Sequence, residues 1–324
     1  MTRKATNKLL QSAKKSKSDE FYTQLCDIEN ELQHYKLHFK DKVVFCNCDD
    51  PRVSNFFKFF ADNFEELGIK KVITACYKEQ AADLLAETSN EKGFFFEYSN
   101  TEEEKNKITS PDVTYFKGDG DFRSSESIEL LKQSDIVVTN PPFSLFREYI
   151  DQLVRFDKKF LVIGNVNAIT YKDIFKLIKE NKAWLGVHLG RGVSGFIVPD
   201  HYQLYGSEAR IDDFGNRVVS PNNCLWLTNL DISKRHEDIP LTKKYFGNEE
   251  EYPKYDNYDG INVNKTKDIP LDYKGAMGVP ITFLHKFNPG QFEIIKFRKG
   301  NDGKDLSVNG KCPYFRILVK NKRI

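Results

Sequence analysis

Long hydrophobic runs are missing from this sequence of 324 residues. No apolar stretch approaches the roughly 20 residues that a membrane-spanning helix needs, and the basic N-terminal segment is not followed by the apolar stretch of a signal peptide. We therefore predict a cytoplasmic protein without a membrane partner. With 40% hydrophobic residues, the chain is long enough to bury a sizeable core and to form one large domain with a smaller appendage.

Paired cysteine and histidine patterns are also missing. The six cysteines form no CxxC pair, so neither a disulfide framework nor a zinc site is predicted. His34 and His38 would share a helical face, but no HExxH pattern accompanies them, and we interpret them as solvated or satisfied side chains. The sequence therefore predicts no metal site.

The net charge is small, at +2, but basic residues are concentrated at both ends of the chain. Residues 1–17 contain six Lys or Arg and no acid, and the segment from Lys296 onward contains nine against two Asp. A single basic tail is often only a solvated segment. Two basic ends around a near-neutral body favour a polyanion as partner. The candidate contacts are Lys14, Lys15, Lys296, Arg298 and Lys299.

Strand and helix patterns alternate through much of the chain. Apolar, β-branched runs predict strands at 42–48, 70–77, 113–118, 135–140 and 158–165. Helical patterns lie between or after them, at 49–67, 81–87, 124–133, 144–156 and 171–182. Asp50 is predicted to cap the first of these helices, with Pro51 at its first position. Such alternation predicts an α/β fold with a doubly wound, mostly parallel sheet.

Two later segments depart from this alternation. The strand-like runs 183–189 and 223–230 have no predicted helix between them, and we expect them to pair antiparallel at one sheet edge. From Asp231 onward the sequence has little periodicity and is rich in Tyr, Asn, Asp and Lys. We therefore divide the chain into a basic arm at 1–17, a main domain at 18–230 and a smaller unit at 231–324.

The run DIVVTNPPFS (135–144) ends a predicted buried strand with turn residues, at the kind of strand end where open α/β sheets bind ligands. The Asn140 side-chain oxygen and the Pro141 carbonyl can accept both hydrogens of an amino group such as adenine N6. These bonds would orient the nitrogen and stabilise positive charge that develops on it. Phe143 offers a face for stacking. The alternative is that NPPF is only a tight turn.

With this motif in place, the chain resembles the EcoRI-type adenine-specific DNA methyltransferases over nearly its whole length. The matching segments, in order, are SKSDEFYTQ, CNCDDPRVSNFFK, GDGDFRSSES, TNPPFSLFREYI, WLGVHLGRGVSGFIVP, SPNNCLWLTNLD and GVPITFLHKFNP. The resemblance implies a Rossmann-like fold, S-adenosylmethionine as cofactor and double-stranded DNA as substrate. It also implies methylation of a flipped adenine, the inner adenine of GAATTC, which protects DNA from a partner restriction endonuclease. Because newly replicated DNA carries the mark on one strand, a monomer that acts on one strand at a time is sufficient, and we expect a nucleoid-associated monomer.

The resemblance also implies roles for particular residues. Asn140, Pro141, Pro142 and Phe143 would be catalytic. From the change of texture at Asp231 and the basic terminus, and not from the resemblance, we predict that residues 231–324 form the DNA target-recognition region. The cofactor would contact three segments, through Phe21, Tyr22 and Thr23; through Asp49 or Asp50; and through Asp119, Asp121 and Phe122.

One part of the sequence departs from the general methyltransferase pattern. The usual glycine-rich loop after the first strand is replaced by CNCDDP (46–51). The glycine-containing GRGVSG (190–195) is predicted either to bring Arg191 to a phosphate or to the extruded base, or to form a plain β-turn. Two other functions stay open: a protein or RNA amino-group methyltransferase, and a DNA-binding protein without catalytic activity.

Overall fold

The computed structural model describes residues 22–77, 92–106, 108, 110–190, 193–198, 209–212, 215–219, 223–298, 306–312 and 315–324. The arm predicted at 1–17 and the helix predicted at 81–87 lie outside these ranges. The chain divides into two compact units. The first unit extends to Ala168 and includes Gly186–Leu230, and the second comprises Ile169–Leu185 and Asp231–Ile324. The structural division thus assigns 169–185 differently from the sequence, and the functional roles of the regions stay predictions.

Twelve strands are described before residue 231. They are β1 (Tyr22–Thr23), β2 (Val43–Asn47), β3 (Lys71–Cys76), β4 (Phe94–Tyr98), β5 (Thr114–Tyr115), β6 (Ile136–Thr139), β7 (Lys159–Asn165), β8 (Trp184–Gly190), β9 (Phe196–Val198), β10 (Arg210–Ile211), β11 (Arg217–Val219) and β12 (Cys224–Thr228).

The described α-helices are short. They are α1 (Leu25–Leu32), α2 (Asn55–Asp62), α3 (Phe64–Leu67), α4 (Glu102–Lys105), α5 (Ser125–Gln133), α6 (Phe146–Arg155) and α7 (Lys172–Lys179). Short 3₁₀ helices include Gln33–His38, Phe143–Leu145, Val166–Thr170, Ser233–His236 and Ile281–Lys286. Within the described ranges, none of the helices has the length and apolar character needed to cross a membrane.

Eight strands form the main sheet, in the order β5-β4-β3-β2-β6-β7-β12-β8. The central strands β3, β2, β6 and β7 are parallel, and they are buried along almost their whole length, as continuous β-branched runs predict. Their carboxyl ends meet on one side of the sheet, which we call the carboxyl edge. This edge is where open α/β sheets bind ligands.

The sheet is mixed, so the prediction of a mostly parallel sheet is right at its centre and wrong at its flanks. Strands β4 and β5 run antiparallel to their neighbours on one side, and β12 runs antiparallel to β7 on the other. The sequence patterns did not predict β4, whose side chains alternate between buried and half-buried. Strand β5 is shorter than the predicted 113–118. Strands β8 and β12 are neighbours at one edge, as predicted.

The helix after β2 begins later than predicted. Ser54 is the N-cap of α2, and its hydroxyl accepts hydrogen bonds from two main-chain N–H groups of the first turn. Asp50 and Pro51 lie instead in a turn, in which the Ser54 N–H donates to the Asp50 carbonyl at 2.7 Å. The Asp50 carboxylate accepts hydrogen bonds from Arg52, so it does not cap the helix.

Two smaller sheets complete the fold. In the first unit, β1, β9, β11 and β10 pair antiparallel in that order. The second unit contains β13 (Gly260–Asn262), β14 (Ala276–Pro280), β15 (Phe292–Arg298) and β16 (Arg316–Asn321). These strands are ordered β13-β14-β16-β15, and only β13 and β14 are parallel within this sheet.

Candidate active site

The segment predicted to be catalytic leaves the sheet at the carboxyl edge. Asn140 and Pro141 follow the buried end of β6, and Phe143 begins the 3₁₀ turn that leads into α6. The Asn140 side-chain oxygen is buried, Pro141 is buried, and Phe143 is half-buried. The structure therefore places the NPPF segment at the end of a central parallel strand, where open α/β sheets bind ligands.

An aromatic pair joins this segment to a distant part of the chain. The Phe143 ring packs edge-on against Phe196, with ring centroids 6.1 Å apart and an interplanar angle of 73°. Phe196 is fully buried at the start of β9. Sequence patterns did not single out Phe196, whose only signal is its place in the short apolar run after GRGVSG.

The N-terminal motif lies on the same small sheet as Phe196. Thr23 is opposite Phe196 in the pairing of β1 with β9, and Tyr22 is opposite Ile197. The Thr23 carbonyl accepts a hydrogen bond from Asn55 Nδ2 at 2.8 Å. The Thr23 hydroxyl is buried and, in the described part of the chain, has no hydrogen-bond partner. The structure thus brings Tyr22 and Thr23 toward the NPPF segment, whereas Phe21 lies outside the described residues.

Polar side chains from α1 and its N-terminus hold the turn before Phe196. Gln24 Nε2 donates to Ser194 Oγ at 2.8 Å and to the Gly195 carbonyl at 2.9 Å. The Asp27 carboxylate accepts from the Ser194 N–H and hydroxyl at 2.9 and 3.0 Å. Burial raises the pKa of Asp27, and the hydrogen bonds from Ser194 act in the opposite direction. These contacts connect residues far apart in the sequence, so local patterns did not reveal them.

The loop after β2 occupies the place of the glycine-rich loop. Cys48 has a φ of 77°, in the left-handed region that glycine adopts at no steric cost. The Asp50 side chain is fully buried and is paired with Arg52 at 2.6 Å. The Arg52 guanidinium also lies 4.5 Å from the ring centroid of Phe94. Asp50 therefore makes a buried ion pair, and its predicted contact with the cofactor stays a prediction.

Asp49 connects this loop with the end of β6. One carboxylate oxygen accepts the Ser54 hydroxyl at 2.8 Å, and the other accepts the Thr139 hydroxyl at 2.7 Å. Burial raises the pKa of Asp49 to about 7, although the two hydroxyl groups favour the ionised form and lower it. An acid with such a pKa changes charge near neutrality.

The third predicted cofactor segment forms a tight acidic loop. The Asp121 N–H donates to the Asp119 carboxylate at 3.1 Å. Arg123 pairs with Asp121 at 2.7 Å and holds the pKa of that carboxyl below its usual range. Phe122 is buried and packs edge-on against Tyr149 of α6, with ring centroids 5.1 Å apart. Asp121 is half-buried, whereas the Phe122 ring belongs to the core.

The acidic loop, the loop after β2 and α6 lie side by side. Burial raises the pKa of the Cys48 thiol, and the charges of Asp49 and Asp121 raise it further. Burial likewise raises the pKa of Tyr149, with smaller contributions from Cys48 and Asp49. Gln152 of α6 also donates to the Phe122 carbonyl at 3.0 Å, so the acidic loop packs against the helix that follows NPPF.

The structure describes only part of the predicted DNA interface. Lys296 lies on β15, where its backbone position is opposite Leu318 of β16. Arg298 is described only as the last backbone position of that strand. Lys14, Lys15, Arg191 and Lys299 lie outside the described residues. Across the described ranges, no group of three His, Cys, Asp or Glu side chains is placed to hold a metal ion.

Comparison with known proteins defines the class to which this fold and site belong. The model of the family described as "Adenine-specific methyltransferase EcoRI" matches residues 9–322, and the chain belongs to that family. It is therefore an adenine-specific DNA methyltransferase.

Particular relatives are similar over nearly their full length. The chain is 73% identical over 324 residues to the Type II methyltransferase M.EcoRI of Escherichia coli, covering 100% of this chain and 99% of the relative. It is 40% identical to the Type II methyltransferase M.MgeORF184P of Mycoplasma genitalium, covering 96% and 98% of the two chains. It is 37% identical to M.MpnI of Mycoplasma pneumoniae, covering 96% and 97%. No solved structure matches the chain.

Proposed function

We propose that this enzyme transfers a methyl group from S-adenosylmethionine to N6 of an adenine flipped out of duplex DNA, and that its target is the inner adenine of GAATTC. The observation that carries the proposal is the position of the NPPF segment. It follows a central parallel strand, with the Asn140 side-chain oxygen buried and Phe143 paired with Phe196. The 73% identity to M.EcoRI supports the choice of sequence.

The chemistry follows from the hydrogen-bonding capacity of these groups. An exocyclic amine has two N–H donors, and Asn140 and Pro141 offer two oxygen acceptors. Bonds from both hydrogens orient the nitrogen lone pair toward the methyl group. Because positive charge develops on nitrogen during transfer, the same bonds strengthen in the transition state and stabilise it. No strong base is needed for this effect.

The residues predicted to contact the cofactor fit a molecule with hydroxyl groups. Thr23 offers a buried hydroxyl with no partner in the described part of the chain. Asp119 and Asp121 offer carboxylates for hydroxyl groups, and Arg123 keeps Asp121 ionised. When bound, S-adenosylmethionine supplies an electrophilic methyl group. The mixed sheet that carries these residues is, in this proposal, a Rossmann-like methyltransferase sheet.

The target adenine must leave the helix because N6 is paired and stacked inside duplex DNA. The Phe143 ring provides an aromatic surface next to Asn140 that can stack with the extruded base. Stacking of this kind is worth about 1–3 kcal/mol per base. We further propose that the enzyme acts as a monomer on one strand at a time, and that its methyl mark protects DNA from a partner restriction endonuclease.

A methyl-transfer assay tests the proposal. Labelled S-adenosylmethionine is incubated with duplexes that contain GAATTC, a scrambled site, or GAATTC with the inner adenine already methylated. We expect label only in the first. Transfer to a protein or RNA substrate in preference to duplex DNA would overturn the proposal, and equal labelling of the scrambled duplex would overturn the assigned sequence.

A further inference from the structure

A fully buried hydroxyl lies next to the catalytic segment. Thr139 is the last residue of β6 and immediately precedes Asn140. Its Oγ1 donates to Asp49 Oδ2 at 2.7 Å and also contacts the Asn47 carbonyl. Both contacts are to the neighbouring strand β2 or to the loop that follows it. The end of β6 is therefore held by a side-chain hydrogen bond in addition to the sheet hydrogen bonds.

The second oxygen of Asp49 extends this connection to a helix. Asp49 Oδ1 accepts the Ser54 hydroxyl at 2.8 Å, and Ser54 Oγ accepts from two N–H groups at the start of α2. A hydroxyl has one hydrogen to donate, and an ionised carboxylate has an acceptor oxygen for each of the two hydroxyl groups. The start of α2 is thus connected through Ser54, Asp49 and Thr139 to the residue before Asn140.

We propose that Asp49 and Thr139 are positioning residues for methyl transfer, which fix the main chain at the point where Asn140 and Pro141 present their oxygens. The inference rests on the proposed role of Asn140. Asp49 was predicted from the sequence to contact the cofactor. The structure instead shows both of its oxygens bound to protein hydroxyl groups, one of them on the strand that carries the catalytic segment.

Replacing the hydroxyl of Thr139 with a methyl group tests the connection. Thr139→Val keeps the shape of the side chain but cannot donate to Asp49. Displacement of a reacting group by about 1 Å can cost about 100-fold in rate, so we expect the single-turnover rate of methyl transfer to fall about 10- to 100-fold. Affinities for DNA and cofactor should stay within about two-fold of the parent. Thr139→Ser, which keeps the hydroxyl, should restore most of the rate.

A matched control comes from the end of another strand in the same sheet. Thr228 ends β12, is also fully buried, and donates its hydroxyl to the Phe160 carbonyl at 2.7 Å. Thr228→Val removes a similar bond without a link to Asn140. We expect it to lose stability without a change in the single-turnover rate. An equal loss of rate in Thr228→Val and Thr139→Val would overturn the inference, as would a parental rate in Thr139→Val.

Asp49→Asn separates positioning from cofactor contact. The amide keeps one acceptor oxygen and its NH2 group can only donate, so one of the two hydroxyl groups must reverse its hydrogen bond or lose it. If Asp49 positions the strand, the rate falls at saturating cofactor while KM for the cofactor stays near the parental value. A raised KM with an unchanged rate at saturation would show that Asp49 binds the cofactor and would overturn the inference.

Measuring the Asn140→Ala variant beside Thr139→Val distinguishes failure of this inference from failure of the proposed function. If Asn140→Ala transfers methyl groups at the parental rate, Asn140 is not catalytic and the proposed function fails. If Asn140→Ala is inactive while Thr139→Val is fully active, only the positioning role fails.

Discussion

The two units bury different kinds of polar side chain. In the first unit, the buried side chains include the carboxyl groups of Asp27, Glu31 and Asp50. Among the described residues of the second unit, the buried polar side chains are four amides and one guanidinium, namely Asn262, Asn288, Gln291, Asn321 and Arg316. The first unit therefore concentrates acidic groups in its interior, whereas the second relies on groups that stay in one charge state at any ordinary pH.

The acids of the first unit tie distant segments together. Glu31, with no exposed surface, accepts hydrogen bonds from the Tyr35 hydroxyl and from the N–H groups of Val187 and His188, and it also contacts the His188 ring. A carboxylate can accept several bonds at once, which suits a group that fixes one strand against one helix. The Asp27 carboxylate likewise holds the turn before Phe196, and the Asp49 carboxylate holds the end of β6.

The buried amide side chains of the second unit make hydrogen bonds to segments without regular secondary structure. Gln291 accepts from the Ile239 N–H at 2.8 Å and donates to the Ile239 carbonyl at 2.9 Å. Asn288 donates to the His236 carbonyl at 3.0 Å. An amide can both donate and accept, so it replaces the backbone partner that a segment without regular structure lacks. We expect catalysis and pH dependence to reside in the first unit, and dependence on salt to involve the second.

The largest expected effect comes from the first unit. Asn140→Ala should lower the single-turnover rate of methyl transfer by about 100- to 1,000-fold, because in the proposed mechanism the Asn140 hydrogen bond would stabilise mainly the transition state. Cofactor binding, measured by calorimetry, should stay near the parental value. Near-normal turnover in this variant would remove Asn140 from the catalytic machinery.

A smaller loss of rate is expected from the aromatic ring. Phe143→Ala should weaken capture of the extruded base by about 1–3 kcal/mol. The measurement compares turnover on a normal duplex with turnover on a duplex in which the target adenine lies opposite an abasic site. Because an unpaired base costs less to extrude, the second duplex should partly restore the rate. Absence of any restoration would argue against a role in holding the flipped base.

The predicted role of the second unit in DNA binding is tested by the salt dependence of the affinity for DNA. Replacing Lys296, Arg298 and Lys299 together with alanine should weaken binding to specific and nonspecific duplexes alike. The slope of log affinity against log salt should fall by about 0.9 for each phosphate that these side chains no longer neutralise. The matched control replaces Lys172, Lys176 and Lys179, which lie on α7 of the same unit. Equal effects in both variants would show that net charge, and not binding of phosphates by the end of β15, is responsible.

The smallest expected effect is a dependence of stability on pH. Burial raises the pKa of Asp49 from 3.8 to about 7, so the folded protein holds this proton more tightly than the unfolded chain. The contribution of Asp49 to stability is full below pH 3.8 and is lost as the pH rises toward 7. We expect the free energy of unfolding of the parent, relative to Asp49→Asn, to fall over this range by at least about 1 kcal/mol, roughly the equivalent of one pKa unit.

Urea denaturation at several pH values measures this difference. The other titratable groups near Asp49 are Asp50, Cys46, Cys48 and Tyr149, and they are retained in the variant. Gln291→Ala in the second unit serves as the control, because an amide has no charge to lose. A parent and an Asp49→Asn variant with parallel pH curves would contradict the prediction.

Local sequence patterns predicted the centre of the fold. Strands β2, β3, β6 and β7 are continuous apolar runs rich in β-branched residues, and such runs belong to strands buried on both faces. The NPPF segment was predictable for a related reason, since turn residues directly after a buried strand define the strand end. The family resemblance then predicted cofactor contacts for Thr23, Asp49 and Asp121.

Tertiary structure decided the flanks of the sheet and the contacts of the site. Strand β4 runs antiparallel to β3 and strand β12 runs antiparallel to β7, a choice that strand patterns leave open because the same run of residues suits either direction. Ser54 caps α2 because the Asp50 carboxylate is taken by Arg52. Asp and Ser are both favoured at N-cap positions, so the contacts of Asp50 and Ser54 in the folded chain decide which of them caps the helix.

By itself, then, the sequence determined the central strands and the family, and it predicted a chemical role for NPPF. Only the folded chain brings Thr139 to Asp49, across 90 residues, and Phe143 to Phe196. Periodicity and turn residues report interactions between near neighbours in the chain. Hydrogen bonds and ring contacts between distant segments depend on how the strands are ordered in the sheet, which no local pattern encodes.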